Sequence, residues 1–367
     1  MSFANRWWVI GMAIIVAALG ANAQLPVINS FSRTGLLTCS NLAPMTAASI
    51  EWASSVLGPW HTNTSALDSL IVDATGRIQV NVPLSATTIF YRVRGFASTN
   101  SSSLNPPPAP PGMVWIPPGT FVMGSPDDEK ERNSDETQHT VTLTNGFYMS
   151  KNLVTQGQYL ALMGNNPSYF TTNIDGNGTI VSPDLNRPVE QVTWYDAANY
   201  CGKLTDSEQA AGRLPAGWVY RLPTESEWEY ACRAGTTTAF NLGPDLRSGM
   251  ANFVGQYEYV SGTGTVTNKS GIYLGRTATV GSYQPNAWGL YDMHGNMVEW
   301  CSDWYDSYPV GSVTDPQGPT SGQYRVLRGG YWFSYAKDCR SALRDFEDPR
   351  VAYNGNFGFR SVLAPSH

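Results

Sequence analysis

Charge is what this sequence is short of. Lys, Arg, Asp and Glu make up 14% of its 367 residues, against roughly 25% in a typical domain. The basic part of that charge is not gathered anywhere: 23 Lys and Arg stand against 29 Asp and Glu, a net charge of −6, with no Lys/Arg cluster. Neither a phosphate backbone nor an anionic membrane surface finds a complementary patch, so nucleic acid and such surfaces are not expected as partners. Beyond the N-terminus no stretch is apolar enough to cross a bilayer, which takes roughly 20 apolar residues. The four histidines, His61, His139, His294 and His367, are scattered, and no two are close enough in sequence to suggest a His-based iron or zinc centre. The five cysteines, Cys39, Cys201, Cys232, Cys301 and Cys339, include no C-x-x-C pair, which argues against structural zinc. Their odd number leaves at least one thiol free or joined to another molecule.

The chain does have a leader pattern. Arg6 precedes an apolar run from Trp7 to about Leu19, and small residues end in Ala21-Asn22-Ala23. That is a charged n-region, an h-region too short to span a membrane, and an A-x-A cleavage site. Residues 1–23 are expected to be removed and the mature protein to be secreted, extracellular or periplasmic, where disulfides are permitted. No cysteine follows the cleavage site, so no lipid anchor is expected. The 35 Gly, 24 Pro, 12 Trp and 19 Tyr point to a loop-rich chain ordered by aromatic packing.

Residues 98–112, STNSSSLNPPPAPPG, read as a semi-rigid linker of polyproline character. It separates a small unit, 24–97, from a large one, 113–367. In the small unit Ile78, Val80 and Val82 alternate with polar residues, as do Ile89, Tyr91 and Val93. This predicts a small antiparallel β-sandwich. It carries no acid pair, metal cluster or nucleophile, so an accessory or adhesion role is expected, including self-association. In the large unit, MVWIPPGTFVMGS reads as a strand interrupted by a Pro-Pro turn, and DDEKERNSDE (127–136) as a solvated loop. HTVTL is a further strand. Thr155 with Gln158, and Thr224 with Glu227, are capping boxes that open short helices, stopped by Gly164 and Gly235. A longer helix is predicted from Trp194 to about Gln209. The fold class is α+β, coil-rich.

The stretch GLYDMHGNMVEWCSDWY (289–305) has turn formers against a strand and poor periodicity for a helix. Its Asp292 and Glu299 flank a Gly-Asn turn. Backbone carbonyls in a buried coil need partners. Either a hard cation takes them together with the two carboxylates, or the acids cap backbone N–H groups. The spacing leaves both open.

Taken in order, MVWIPPGTFVMGS, RPVEQVTWYDAANYC, RLPTESEWEYACRAG, PNAWGLYDMHGNMVEWCSDWY, RVLRGGYW, CRSALR and GFR resemble the formylglycine-generating enzyme, or sulfatase-modifying factor, family over Met113 to about Leu363. The resemblance implies a modified C-type-lectin-like fold. It implies structural calcium at Asp292, the carbonyls of Gly295 and Met297, and Glu299. A second calcium site is implied at Asn252 and Phe253, although its usual aspartate falls near Gly271, which has no acid. Aerobic family members hold copper on two cysteines after the R-x-x-x-G-G segment, and Cu(I) needs soft sulfur ligands. Here Ser334 stands at the first position and Cys339 is the only cysteine nearby, so copper is not expected and only Ser334 and Cys339 remain as catalytic remnants. By the same resemblance Cys232 is expected to bridge to Cys339. Cys201 is either a small buried hydrophobe or paired with Cys301. His294 is expected to be a surface or packing residue. The C–S bond-forming branch of the superfamily uses histidines from an attached helical domain; with no such domain read here and no clustered histidines, that chemistry is not expected.

Three function classes remain: a non-catalytic binding or assembly module, a formylglycine-generating oxidase with altered metal ligation, and an unrecognised enzyme. The missing cysteine speaks against the second, and the absence of any triad or paired-acid arrangement against the third. The expected ligand is a protein, peptide or glycan, held in a groove at Tyr331, Trp332, Phe333 and Ser334.

Overall fold

The computed structural model describes residues 109–171, 184–352 and 355–366 in full and, outside them, only the backbone of short strands. Two compact units are present, Met1–Asn105 and Pro106–His367. In the first, Val27–Phe31, Leu36–Ser40 and Ile78–Asn81 pair antiparallel, and Ala47–Ala53 pairs antiparallel with Ile89–Gly95. Most of the leader, the packing of any sandwich, most of the linker and the side chain of Cys39 lie outside the described residues.

The second unit runs β1 (Met113–Ile116), β2 (Gly119–Met123), β3 (His139–Leu143), β4 (Phe147–Ser150), α1 (Gln156–Met163), α2 (Trp194–Ala210), β5 (Trp218–Arg221) and α3 (Glu225–Arg233). It continues with β6 (Tyr257–Val260), β7 (Gly264–Thr267), β8 (Val298–Trp304), β9 (Val313–Thr314), β10 (Arg325–Arg328), a 3-10 turn (Ala336–Cys339), β11 (Asp345–Glu347), β12 (Phe357–Gly358) and β13 (Val362–Pro365). Pro117 and Pro118 do more than interrupt a strand. Proline donates no ladder bond, and the chain changes sheets there. β1 joins an antiparallel sheet of order β5-β13-β4-β1, and β2 joins β2-β3-β9. A third sheet has the order β11-β10-β8-β12, with β8 antiparallel to β10 and parallel to β12.

Alternation places the sheets between two cores. On β4, Tyr148 enters one core with Tyr200, Trp218 and Phe359, while its neighbours Phe147 and Met149 enter the other with Trp228 and Leu290. On β8, Trp300 joins the first core and Cys301 the second. Successive side chains of a strand point to opposite faces, so one strand can serve two cores. A third cluster, with Phe240, Phe253, Tyr259 and Cys339, underlies the 3-10 turn.

The helices start where their caps indicate. Thr155–Gln158 and Thr224–Glu227 form both hydrogen bonds of their capping boxes. A third box, Thr193–Asp196, opens α2. At the end of α3 both Ala234 (φ 45°) and Gly235 (φ 90°) are left-handed.

Two sequence expectations are corrected. The stretch 289–305 is coil only to Met297; from Val298 it is β8 at the middle of a sheet, because Val298, Trp300 and Cys301 have a core on either face. The charged run 127–136 is not simply a solvated loop. Glu136 is fully buried and holds Arg340 with both oxygens, at 2.7 Å each, and Glu129 binds the same guanidinium at 2.7 Å.

Those pairs explain how so much irregular chain is satisfied. Buried arginines act as forks for loop carbonyls. Arg328 binds Glu229 and donates to Ser341 O and Leu343 O. Arg340 donates to Lys337 O and Glu131 O. Arg360 donates to Ser150 O, Lys151 O and Tyr291 O. A guanidinium has five donors and no acceptor, so one side chain can pair a carboxylate and still donate to two or three carbonyls.

Candidate functional site

Asp292, Gly295, Asn296 and Met297 make a tight turn leading into β8. Asp292 (φ 56°) and Asn296 (φ 67°) are left-handed without being glycine, a conformation that costs on the order of 1–3 kcal/mol unless the surroundings impose it. Gly295 (φ 86°) is required, since a Cβ there would meet Asn252 O at 2.4 Å. The turn is pinned by Gly295 N to Gly329 O (2.7 Å) and Asn296 N to Asn252 O (2.8 Å).

Asp292 is buried. Its Oδ2 accepts from Gly281 N at 2.8 Å, while Oδ1 has no protein partner. Burial pushes its pKa up to about 6, eased by the Gly281 N–H and Arg360. Glu299 is fully buried as well, but Arg360 takes both its oxygens, Nε at 2.7 Å and Nη2 at 2.8 Å. Arg360 is the partner that sequence reading missed, although it lies in the quoted GFR motif.

The second implied calcium position shows the same kind of vacancy in its hydrogen bonding. Asn252 Nδ2 donates to Arg276 O (2.9 Å) and Asn296 Oδ1 (3.1 Å), yet the buried Asn252 Oδ1 has no protein partner. Phe253 is buried in the third cluster. Asn296 joins the two regions: its Oδ1 also accepts from Ala278 N at 2.8 Å. Each region therefore offers an orphaned buried oxygen, the donor type a hard cation takes. The Glu299 oxygens keep a second lone pair each beside Arg360. The orphaned Asp292 and Asn252 oxygens are of the type calcium takes, whereas Gly295 O already accepts from Met297 N at 2.9 Å and, among the described residues, no group of three His, Cys, Asp or Glu side chains is gathered for a metal.

His294 is a packing residue. Its ring stacks edge-on to Phe240. Nε2 accepts from Asn241 N (2.9 Å) and Nδ1 faces Cys339 O (2.7 Å), which assigns the proton to Nδ1. Burial pushes its pKa down to about 4, so it stays neutral.

The expected Cys232–Cys339 bridge is not formed. Cys201, Cys232, Cys301 and Cys339 are all free and buried. Cys232 Sγ faces Ser341 Oγ at 3.7 Å, so a serine occupies the place opposite it. Cys339 Sγ instead bonds Tyr335 O at 3.6 Å and packs against Gly330, where a Cβ would lie 2.6 Å from the sulfur.

The residues named for a groove separate into supports and exposed surface. Ser334 is buried: its Oγ accepts from Tyr331 N at 3.1 Å and its carbonyl accepts from Val254 N at 2.9 Å. Trp332 is half-buried, with Nε1 donating to Gly355 O at 2.6 Å. Phe333 is 56% exposed. Around it lie Tyr273 and Tyr335, 37% and 38% exposed, which sequence reading did not single out because Tyr273 sits in a separate loop. Tyr273 packs 6.2 Å from Phe333, centroid to centroid, and Tyr335 stacks on Tyr257 at 4.1 Å. Cys339 lies beneath this face with its thiol pushed well above the usual range, by burial first and by the Asp338 carboxylate second.

A family model for the sulfatase-modifying factor enzyme 1-like domain matches residues 100–365. Among curated proteins, the formylglycine-generating enzyme of Streptomyces coelicolor is 31% identical over 68% of this chain and 88% of its own length. The serine/threonine-protein kinase pkn1 of Chlamydia pneumoniae is 32% identical over 73% of this chain. This chain spans only 40% of that kinase. Among solved structures, Treponema denticola variable protein 1 is 29% identical, with a TM-score of 0.54 over 69% of this chain and 95% of that one. PvdO from Pseudomonas aeruginosa is 28% identical, with a TM-score of 0.53 over 69% and 94%.

Proposed function

Because the chain belongs to the sulfatase-modifying factor enzyme 1-like family, we propose that it uses that fold as a secreted, non-catalytic binding module. The observation that carries this reading is the aromatic face at Tyr331–Tyr335. Where family oxidases hold copper between two thiolates, this chain has a hydroxyl, Ser334, already engaged by backbone. The nearby Cys339 thiol is buried and held protonated. Above them are exposed rings, which suit stacking on a peptide or glycan. The small N-terminal unit would serve attachment or self-association. The match to Streptomyces coelicolor's formylglycine-generating enzyme favours one second reading, an oxidase with altered metal ligation.

The two readings separate in one assay. The mature protein, loaded with Cu(I) and given oxygen and a cysteine-containing sulfatase-type peptide, is expected to leave the thiol unchanged by mass spectrometry. Conversion to an aldehyde that disappears in Cys339→Ser would establish the oxidase instead.

Calcium belongs to the same proposal as a structural ion. When bound, it would supply positive charge to the Asp292 and Asn252 oxygens that have no protein partner. Thermal unfolding is expected to shift upward with calcium, by about 2.7 kcal/mol at a hundredfold excess over Kd, and Asp292→Ala should abolish most of that increment. Glu299→Gln does not discriminate, because it disturbs Arg360 with or without the ion. Equal melting in calcium and in chelator would refute the ion.

A further inference from the structure

Beside the 3-10 turn lies a cavity of about 390 Å³ lined by Val254, Tyr257, Tyr273, Phe333, Tyr335 and Asp338. Three separate segments build it. Val254 comes from the approach to β6 and Tyr257 from its first position, Tyr273 from the loop before Gly275, and the rest from the turn after β10. Backbone bonds fasten them together: Val254 N to Ser334 O at 2.9 Å, and Gly255 N to Ile272 O at 3.0 Å. The rim is exposed at Phe333, Tyr335 and Tyr273.

Four of the cavity's six lining side chains are aromatic rings, whose faces carry negative potential and attract cations. A fifth, Asp338, carries the only formal charge. Asp338 is held in place as the cap of the 3-10 turn, its Oδ2 accepting from Tyr335 N at 3.3 Å. The nearest lysine, Lys337, directs its ammonium toward Glu131, at 3.9 Å. Apart from Asp338, phenol oxygens are the only side-chain groups in the lining that accept hydrogen bonds. A primary ammonium is strongly hydrated and would surrender water here for few replacements. A quaternary ammonium has no N–H to satisfy and surrenders less.

We propose that this cavity takes a quaternary ammonium group against the rings of Tyr273, Phe333 and the stacked Tyr257–Tyr335 pair, with Asp338 as the counter-charge. The proposal rests on the binding reading above and names its ligand class. The volume is near the lower end of ligand pockets, which run about 300–1,000 Å³, and suits a small head group rather than an extended chain. The overall charge of −6 is complementary to a cation.

The test is a titration of the full mature chain, read by saturation-transfer NMR and intrinsic fluorescence. The probes are choline, phosphocholine, ethanolamine and 3,3-dimethylbutan-1-ol, the uncharged carbon isostere of choline. Choline is expected to bind at least about tenfold more tightly than the isostere and than ethanolamine, the difference a cation–π contribution of about 1.4 kcal/mol produces. Phe333→Ala and Asp338→Asn should each weaken choline by a similar factor. Asparagine keeps an oxygen for the Tyr335 N–H, so that variant preserves the turn. A comparison of choline with phosphocholine tells whether a free cation or a phosphocholine head group is the better source. Equal binding of the isostere would mean an apolar pocket without cation recognition and would overturn the proposal. So would choline binding that survives both substitutions, or no choline binding at millimolar concentration. Failure of the binding reading itself is read separately, as conversion of the cysteine peptide by the same sample.

Discussion

Arg360→Ala is expected to lower the stability of the large unit by about 4 kcal/mol or more. The residue is fully buried and grips both oxygens of Glu299, itself fully buried. Removing one partner of such a pair leaves an uncompensated charge in the core, which costs about 3–5 kcal/mol. The carbonyls of Ser150, Lys151 and Tyr291 lose the Arg360 donor as well; Lys151 O keeps the Tyr291 N–H at 2.9 Å, and any carbonyl left as a buried orphan adds about 1–3 kcal/mol before water re-enters. Net stabilities are only about 5–15 kcal/mol, so the variant should be on the edge of unfolding at 25 °C. Arg360→Lys keeps the charge but not the fork and should fall between the two. Urea unfolding followed by circular dichroism measures all three proteins. A loss below about 1 kcal/mol for the alanine variant would show that the pair contributes nothing net, as exposed pairs commonly do.

The second large effect is a dependence on pH. Asp303 on β8 is buried, and its Oδ2 accepts from Glu225 N (2.9 Å) and Ser302 Oγ (3.0 Å). Burial, reinforced by the Glu225 carboxylate, pushes its pKa up to about 7, above an unfolded value of about 3.9. A carboxyl with a raised folded pKa is more readily protonated in the folded state. Its favourable contribution is complete below about pH 4 and is lost as pH rises through about 7. A shift of about three units corresponds to at most about 4 kcal/mol. Asp303→Asn keeps an acceptor for both hydrogen bonds and removes the charge. The variant should therefore gain on the wild type progressively from about pH 4 to about pH 7 and hold that advantage above it. Unfolding free energies of the two proteins across this range give the difference directly. A difference that does not change with pH would mean that Asp303 stays ionised and solvated.

Much of the fold was legible one residue at a time. Capping boxes at Thr155 and Thr224, the strand at HTVTL and the helix beginning at Trp194 are local signals, and the structure places them where those signals fall. The stretch 289–305 was legible only in part. Its Gly-Asn turn is local, but the strand that follows exists because two cores lie on either side of it, and no window of sequence contains those cores. The charged run 127–136 failed for a related reason. Glu136 looks like any loop acid until Arg340, far away in the chain, takes both its oxygens. For the candidate site, Asp292 could be named from its spacing, and Phe333 from its aromatic run. Tyr273, Arg360 and the Ser341 that faces Cys232 could not, because each is brought in from another segment.

The sequence by itself determined the sparse charge, the segmentation at a proline-rich linker, the local starts of helices and the family to which the large unit belongs. Those properties follow from composition, from short-range backbone chemistry and from ordered motifs, and need no knowledge of what touches what. The tertiary structure decided how the little charge is used: arginines buried on loop carbonyls, Glu299 tied to Arg360, and Asp292 and Asn252 each left with one oxygen unpartnered. It also decided that the Cys339 thiol lies buried while the rings of Phe333 and Tyr335, close to it in the chain, are exposed. Long-range pairing sets each of these, because burial turns an ordinary carboxylate, thiol or guanidinium into a group that must find a partner.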